Sequence, residues 1–185
     1  MGQSEYAGSQ SGTTAEYAAA LIARLGDRDP LQYLAELPKA VDDLTSGVDP
    51  DVLTTLEAPD KWSVKDVVVH LVDSETIYGY RLRYVVAQPG NALPGYDQER
   101  WLRALDYKAS DWGLALETLR AHRRWNLDWM TRLTAEEKTR WGDHSERGRE
   151  TVGHLIRLLA AHDMVHRQQI QRILDKVLGD RAAEG

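Results

Sequence analysis

His162 and His166 carry the most legible chemistry in this chain, within the run Leu158-Leu159-Ala160-Ala161-His162-Asp163-Met164-Val165-His166. Residues four apart on a helix share a face, with Cβ atoms about 5–6 Å apart, so both imidazoles can turn a ring nitrogen toward one ion. A third imidazole, His70, lies in another strongly helical stretch, Val67-Val68-Val69-His70-Leu71-Val72. Three neutral histidine nitrogens from two helices would leave an open coordination position on Zn²⁺ or Ni²⁺ for water or substrate. Such an ion lowers the pKa of water or of a bound thiol and makes a nucleophile near neutral pH. His70 alone would read as a packed core residue with one hydrogen-bonded nitrogen. The pair differs. Two neutral imidazoles buried side by side each need partners and two charged ones repel, whereas a shared cation removes both problems.

The spacing departs from the zinc-protease helix motif, which places Glu after its first histidine; here Asp163 follows His162, and its carboxylate is shorter. Asp73, one turn after His70, and Gln169, one turn after His166, are candidates to orient an imidazole, or else ordinary polar residues of a helix surface. The remaining histidines read as structural. His154 is eight residues before His162 and points elsewhere around the helix. His144 sits in a predicted loop and could overhang the site. His122, with Asn126, faces the bundle and could orient a substrate.

The elements that must position these side chains are helical. The chain has 185 residues, which fits one domain with a core of its own. β-branched alternation is nearly absent, so the fold is expected to be all-α. The first helix is predicted over 15–25, stopping at Gly26. The second starts at Asp29-Pro30, an N-cap with proline at the first helical position, and carries Leu31, Leu34, Leu37, Val41 and Leu44 at helical spacing. Pro38 should kink it or end its first part, and Gly47 with Asp49-Pro50 should close it. Ser63 caps the helix that carries His70, with Asp66 at its positive end, and Pro89-Gly90 stops it. The connection of about twenty residues that follows holds a short helix near 97–105 and is far longer than an antiparallel hairpin needs. That length predicts a crossover leaving its flanking helices parallel. A helix over 111–133 presents Trp112, Ala115, Leu119, His122, Asn126 and Trp129 inward. Thr134 opens one short turn, 141–145 reads as loop, and Thr151 caps a last helix that runs to Leu178 and ends at Gly179.

Composition narrows the function classes. Cysteine is absent, which excludes a disulfide framework, a thiolate metal site and a cysteine nucleophile. No apolar run approaches the ~18 residues of a membrane span. The Gly/Ser-rich segment 1–14 reads as a flexible tail rather than a signal peptide, 15–180 as the folded domain and 181–185 as a short C-terminal tail; cytoplasm is the expected location. The net charge of -6, from 29 acidic and 23 basic residues, argues against nonspecific nucleic-acid binding. Arg120, Arg123 and Arg124 read as a solvated helix face. Phenylalanine is absent, and six Trp with eight Tyr supply the aromatic volume; their polar tips suit a cleft.

Two stretches then form a family pattern: Trp62-Ser63-Val64-Lys65-Asp66-Val67-Val68-Val69-His70-Leu71, and Thr151-Val152-Gly153-His154-Leu155 followed by His162-Asp163-Met164-Val165-His166-Arg167-Gln168-Gln169-Ile170. In this order and separation the chain resembles the DinB-like superfamily, the DinB/YfiT-like metalloenzymes, over roughly 29–178. The resemblance implies a four-helix bundle of up-down-down-up topology. It implies a zinc or nickel ion held by His70, His162 and His166, and a homodimer. It also implies either transfer or isomerisation chemistry that uses a low-molecular-weight thiol such as mycothiol or bacillithiol, or a DNA-damage-inducible role. The leading expectation is a metal-dependent thiol transferase or hydrolase acting on a small electrophile. The alternatives are a stress-related metal- or ligand-binding protein without catalysis, and a metal-free helical scaffold.

Overall fold

The computed structural model describes residues 13–184; of the N-terminal tail, 1–12 lies outside the described residues. Four long helices make the bundle: α2 (Pro30–Thr45), α4 (Val64–Ala87), α6 (Trp112–Met130) and α8 (Val152–Glu184), with α1 (Thr14–Leu25) packed on α8. Each start has a local cause. Thr13 and Ser63 form capping boxes with Glu16 and Asp66, and the carboxylates of Asp29 and Asp111 accept backbone N–H groups of the first turns of α2 and α6. Gly26, at φ 61°, turns the chain out of α1.

α8 packs on α2 and α4, and α6 packs on the same two from the opposite side. Glu75 of α4 meets Arg123 of α6, and Arg83 further along α4 meets Trp129 further along α6, so these two run in the same sense. His70 and Tyr78 of α4 meet α8 in reverse order, at His166 and His162.

The core divides in two. One apolar cluster gathers Leu34, Leu82, Val85, Leu155 and Leu159. The other gathers Leu37, Val67, Leu71, Leu119, Ile170 and Ile173. Between them, at mid-height of every core helix but α2, lies a buried polar belt: His70, Ser74 and Glu75 from α4, Arg123 and Asn126 from α6, Asp163 and His166 from α8.

Several expectations need correction. The segment read as loop at 141–145 is a strand, β2 (Trp141–His144), paired antiparallel with β3 (Gly148–Thr151) and parallel with β1 (Ala92–Leu93). These strands are too short to show an alternation that periodicity can detect. Asp49-Pro50 opens a short helix, α3 (Pro50–Thr54), because Asp49 caps the N–H of Asp51. α2 continues through Pro38, and α8 continues past Gly179, where Lys176 and Asp180 pair at 2.8 Å across the exposed turn. The inner stripe of α6 is Ala115, Leu119, Arg123, Asn126 and Met130, so Arg123 rather than His122 faces the core. The crossover carries β1, α5 (Gln98–Ala104) and a 3-10 turn (Tyr107–Ala109) whose Tyr107 is buried, and Thr134 caps the short helix α7 (Ala135–Thr139) that follows α6.

Candidate metal centre

The fold brings His70, His162 and His166 together. The Nε2 atom of His162 lies 3.1 Å from Nε2 of His70 and 3.1 Å from Nε2 of His166. Among the described residues these three offer nitrogens that all lie within 4.8 Å of one another. Nitrogens held 2.0–2.1 Å from a tetrahedral ion stand about 3.3–3.4 Å apart, close to the two separations from His162. His70 and His166 are buried, and His162 keeps 17% of its side chain exposed, so the approach to the cluster is past His162.

Proton placement tests the fit. Nδ1 of His166 lies 2.8 Å from Oε1 of Gln169, which makes Nδ1 the donor and leaves a lone pair on Nε2. Burial, and then the charge of the neighbouring imidazoles, holds the pKa of His70 well below 6.5; burial and His162 do the same for His166. Neutral rings turning Nε2 lone pairs toward one point cannot all bond to one another, because a single N–H serves one acceptor. A cation at that point satisfies all three nitrogens at once, and the donor set fits a borderline-soft divalent transition metal.

The surroundings fix the rings. Trp62 stacks on His166, with centroids 6.2 Å apart and planes 6° apart, and meets His70 edge-on at 5.0 Å. Ser74 Oγ is 3.4 Å from His70 Nε2, and Tyr96 OH is 3.3 Å from Ser74 Oγ. The Tyr78 ring centroid lies 6.3 Å from that of His162. Gln169 therefore orients His166 as the spacing suggested. Asp73 does not orient His70: its carboxylate takes the hydroxyl of Tyr107, and burial raises its pKa. Neither His122, half-buried on α6, nor His154, which faces Glu150 Oε1 at 3.6 Å, belongs to the cluster. Asn126 bonds Glu75 and Arg83.

Arg123 is the residue that sequence reasoning misplaced. It is 2% exposed, and its guanidinium reaches Glu75 at 2.6 Å, Asp163 at 2.7 Å and the backbone carbonyl of Leu34 at 2.6 Å. Burial pulls its pKa down, but the two carboxylates overcome that and leave it raised. The second oxygen of Asp163 has no hydrogen-bond partner and lies 3.9 Å from Nδ1 of His162, itself buried and unpaired. The ion-pair network thus ends beside the cluster. Arg120, by contrast, is half-exposed and pairs with Asp42.

A family model described as the DinB superfamily matches residues 33–170, and the chain belongs to that family. It is 30% identical over 143 residues to a protein of Bacillus cereus named as a candidate metal-dependent hydrolase, covering 76% of this chain and 80% of that one. It is 25% identical over 137 residues to a protein of Oceanobacillus iheyensis with the same kind of name, covering 74% and 78%. Among solved structures it is similar to YfiT from Bacillus subtilis, described as a probable metal-dependent hydrolase with an unusual four-helix bundle topology. The TM-score is 0.72 at 21% identity, over 89% of both chains.

Proposed function

We propose that this protein is a metal-dependent hydrolase of small molecules, with His70, His162 and His166 as the metal ligands. The observation that carries the proposal is the convergence of three imidazole nitrogens, two of whose separations are 3.1 Å and all of which lie within 4.8 Å of one another. The names of the relatives in Bacillus cereus and Oceanobacillus iheyensis support it. Zinc and nickel both suit an all-imidazole set. Bound there, a divalent cation acts as a Lewis acid, polarising a substrate carbonyl or phosphoryl oxygen and lowering the pKa of water.

The chain's own groups divide the remaining work. Gln169 and the Trp62 ring hold His166 in one tautomer and one plane. Asp163 lies beside Nδ1 of His162 and is itself anchored by Arg123, so the most exposed of the three imidazoles is the one with a carboxylate behind it. Burial raises the pKa of Tyr96, which keeps its hydroxyl protonated as a donor beside Ser74. These two hydroxyls can orient a substrate or water next to His70. Tyr78 and Trp62 keep bulk water from the flanks, which strengthens every charge interaction inside.

A second reading keeps the cluster and changes the nucleophile to a low-molecular-weight thiol, such as mycothiol or bacillithiol, attacking a small electrophile. The absence of cysteine from the chain is consistent with a thiol supplied from outside. Elemental analysis of the purified protein tests the shared basis: one equivalent of metal is expected in the wild type and almost none in His162→Ala or His166→Ala. Equal metal in all three would sink both readings. With metal established, hydrolysis of ester and amide panels against thiol conjugation to monochlorobimane separates the two.

A further inference from the structure

Arg81 continues the stripe of α4 that carries His70, Ser74 and Tyr78. It is only 3% exposed, and its guanidinium carbon lies 5.7 Å from the Tyr78 ring centroid and 5.8 Å from that of Tyr96. One Nη donates to the carbonyl of Pro94, and among the described residues Arg81 makes no other hydrogen bond and no ion pair. The carboxylate whose charge reaches it, Glu150, is itself bonded by Arg147; a buried guanidinium without an ion pair is costly, and such a group is retained where something else neutralises it.

A second orphan lies beside it. His144 is 3% exposed on β2, in register with Leu93, the residue before Pro94. Its Nδ1 accepts the backbone N–H of Glu146 at 3.2 Å, which leaves its proton on Nε2. That Nε2 is buried and has no partner. Arg147, the other cation near both groups, is matched by Glu150 through contacts of 2.7 and 3.0 Å. What remains is one guanidinium without an ion pair and one imidazole N–H without a partner, both donors, near enough for the charge of Arg81 to act on His144.

We propose that Arg81 and His144 form an oxyanion subsite adjoining the three imidazoles and take the carboxylate or phosphate group of a small substrate. Tyr96 links the two places, with its ring against Arg81 and its hydroxyl on Ser74, which in turn touches His70. The Tyr78 ring spans the same gap between Arg81 and His162. The substrate role rests on the metal-dependent reading above, whereas anion binding by Arg81 does not.

The test uses ¹⁵N-labelled protein of measured metal content at pH 7.5 and constant ionic strength. Inorganic phosphate and sodium acetate are titrated in separate arms, and the His144 ring correlation is followed by NMR. A saturable shift is expected with at least one anion, and the arm with the tighter response names the group. In Arg81→Met the affinity should fall roughly ten- to a hundredfold, the loss expected for charged hydrogen bonds, with metal content unchanged. Arg81→Lys, which keeps the charge without the fork, should bind with intermediate affinity and serves if the methionine variant does not fold. His162→Ala should lose metal and keep the anion response. No saturable shift in the wild type, wild-type affinity in both Arg81 variants, or loss of the response in His162→Ala would each overturn the subsite. The last of these would assign the anion to the metal centre instead.

Discussion

Neutral imidazoles compete well for metal, and His70 and His166 are kept neutral by burial. Their depressed pKa values mean that protons displace a metal only in acid. Metal should therefore stay bound as pH falls through 6.5 and leave well below it, as read by a colorimetric dye for the released ion; half-release at 6.5 or above would contradict the proton placement. Gln169→Ala should weaken metal affinity by about 10–100-fold in chelator competition, the usual cost of losing a group that orients a ligand. Helical spacing alone made His162, His166 and Gln169 legible, because all three lie within two turns of one helix. The spacing leaves the role of Asp73 open and places Arg123 on a solvated face, because their partners, Tyr107 and the Glu75–Asp163 pair, come from distant segments that local periodicity cannot see. His144 adds a stability prediction. Burial, then Arg147 and Arg81, lower its pKa from 6.5 to about 4. On acidification the unfolded chain takes up that proton first, so stability should fall from pH 6.5 down through about 4 and be unaffected above 6.5. Urea unfolding of His144→Asn should show a shallower slope in that window, and an unchanged slope would count against the placement of this ring.

Arg123 is where the elements are tied. One guanidinium on α6 reaches α2 through the Leu34 carbonyl, α4 through Glu75 and α8 through Asp163. Replacing it with methionine leaves two buried carboxylates without a cation, a defect of about 3–5 kcal/mol. Denaturant unfolding of Arg123→Met should show that loss, and adding Glu75→Gln and Asp163→Asn should recover much of it. If the single variant is as stable as wild type, the network does not hold the helices. The hairpin of β2 and β3 is tied differently, by close approach. A Cβ on Gly142 would stand 2.9 Å from Leu93 Cδ1 and 3.0 Å from Val85 Cγ2, so Gly142→Ala should cost about 1–3 kcal/mol. The long helices were legible from caps and apolar spacing, whereas the hairpin was not. Two to four residues per strand give too few alternations to register, and the pairing of β1 with β2 joins positions some fifty residues apart.

At the scale of the whole molecule, the bundle has a polar belt held between two apolar clusters. Family resemblance and the 3.6-residue period made the bundle readable, but the belt is a property of assembly, since α4, α6 and α8 each contribute only two or three of its groups. Such a belt is a weak layer unless its charges and lone pairs are matched. Arg123 matches the carboxylates, and under the proposed function a cation held by the three imidazoles would match their nitrogens by bridging α4 to α8. A ligand that binds only the folded state stabilises it by about 2.7 kcal/mol at a hundredfold excess over its dissociation constant. For a chain of this size each kcal/mol moves the melting temperature by about 2–4 °C. Calorimetry before and after dialysis against EDTA should therefore show a fall of roughly 5–10 °C, restored by adding back zinc or nickel and absent in His162→Ala. Because a cation at the three imidazoles would join helices from the two halves of the chain, the whole transition should shift as one peak. A wild-type melting temperature indifferent to chelator would show that the imidazoles are balanced without an ion.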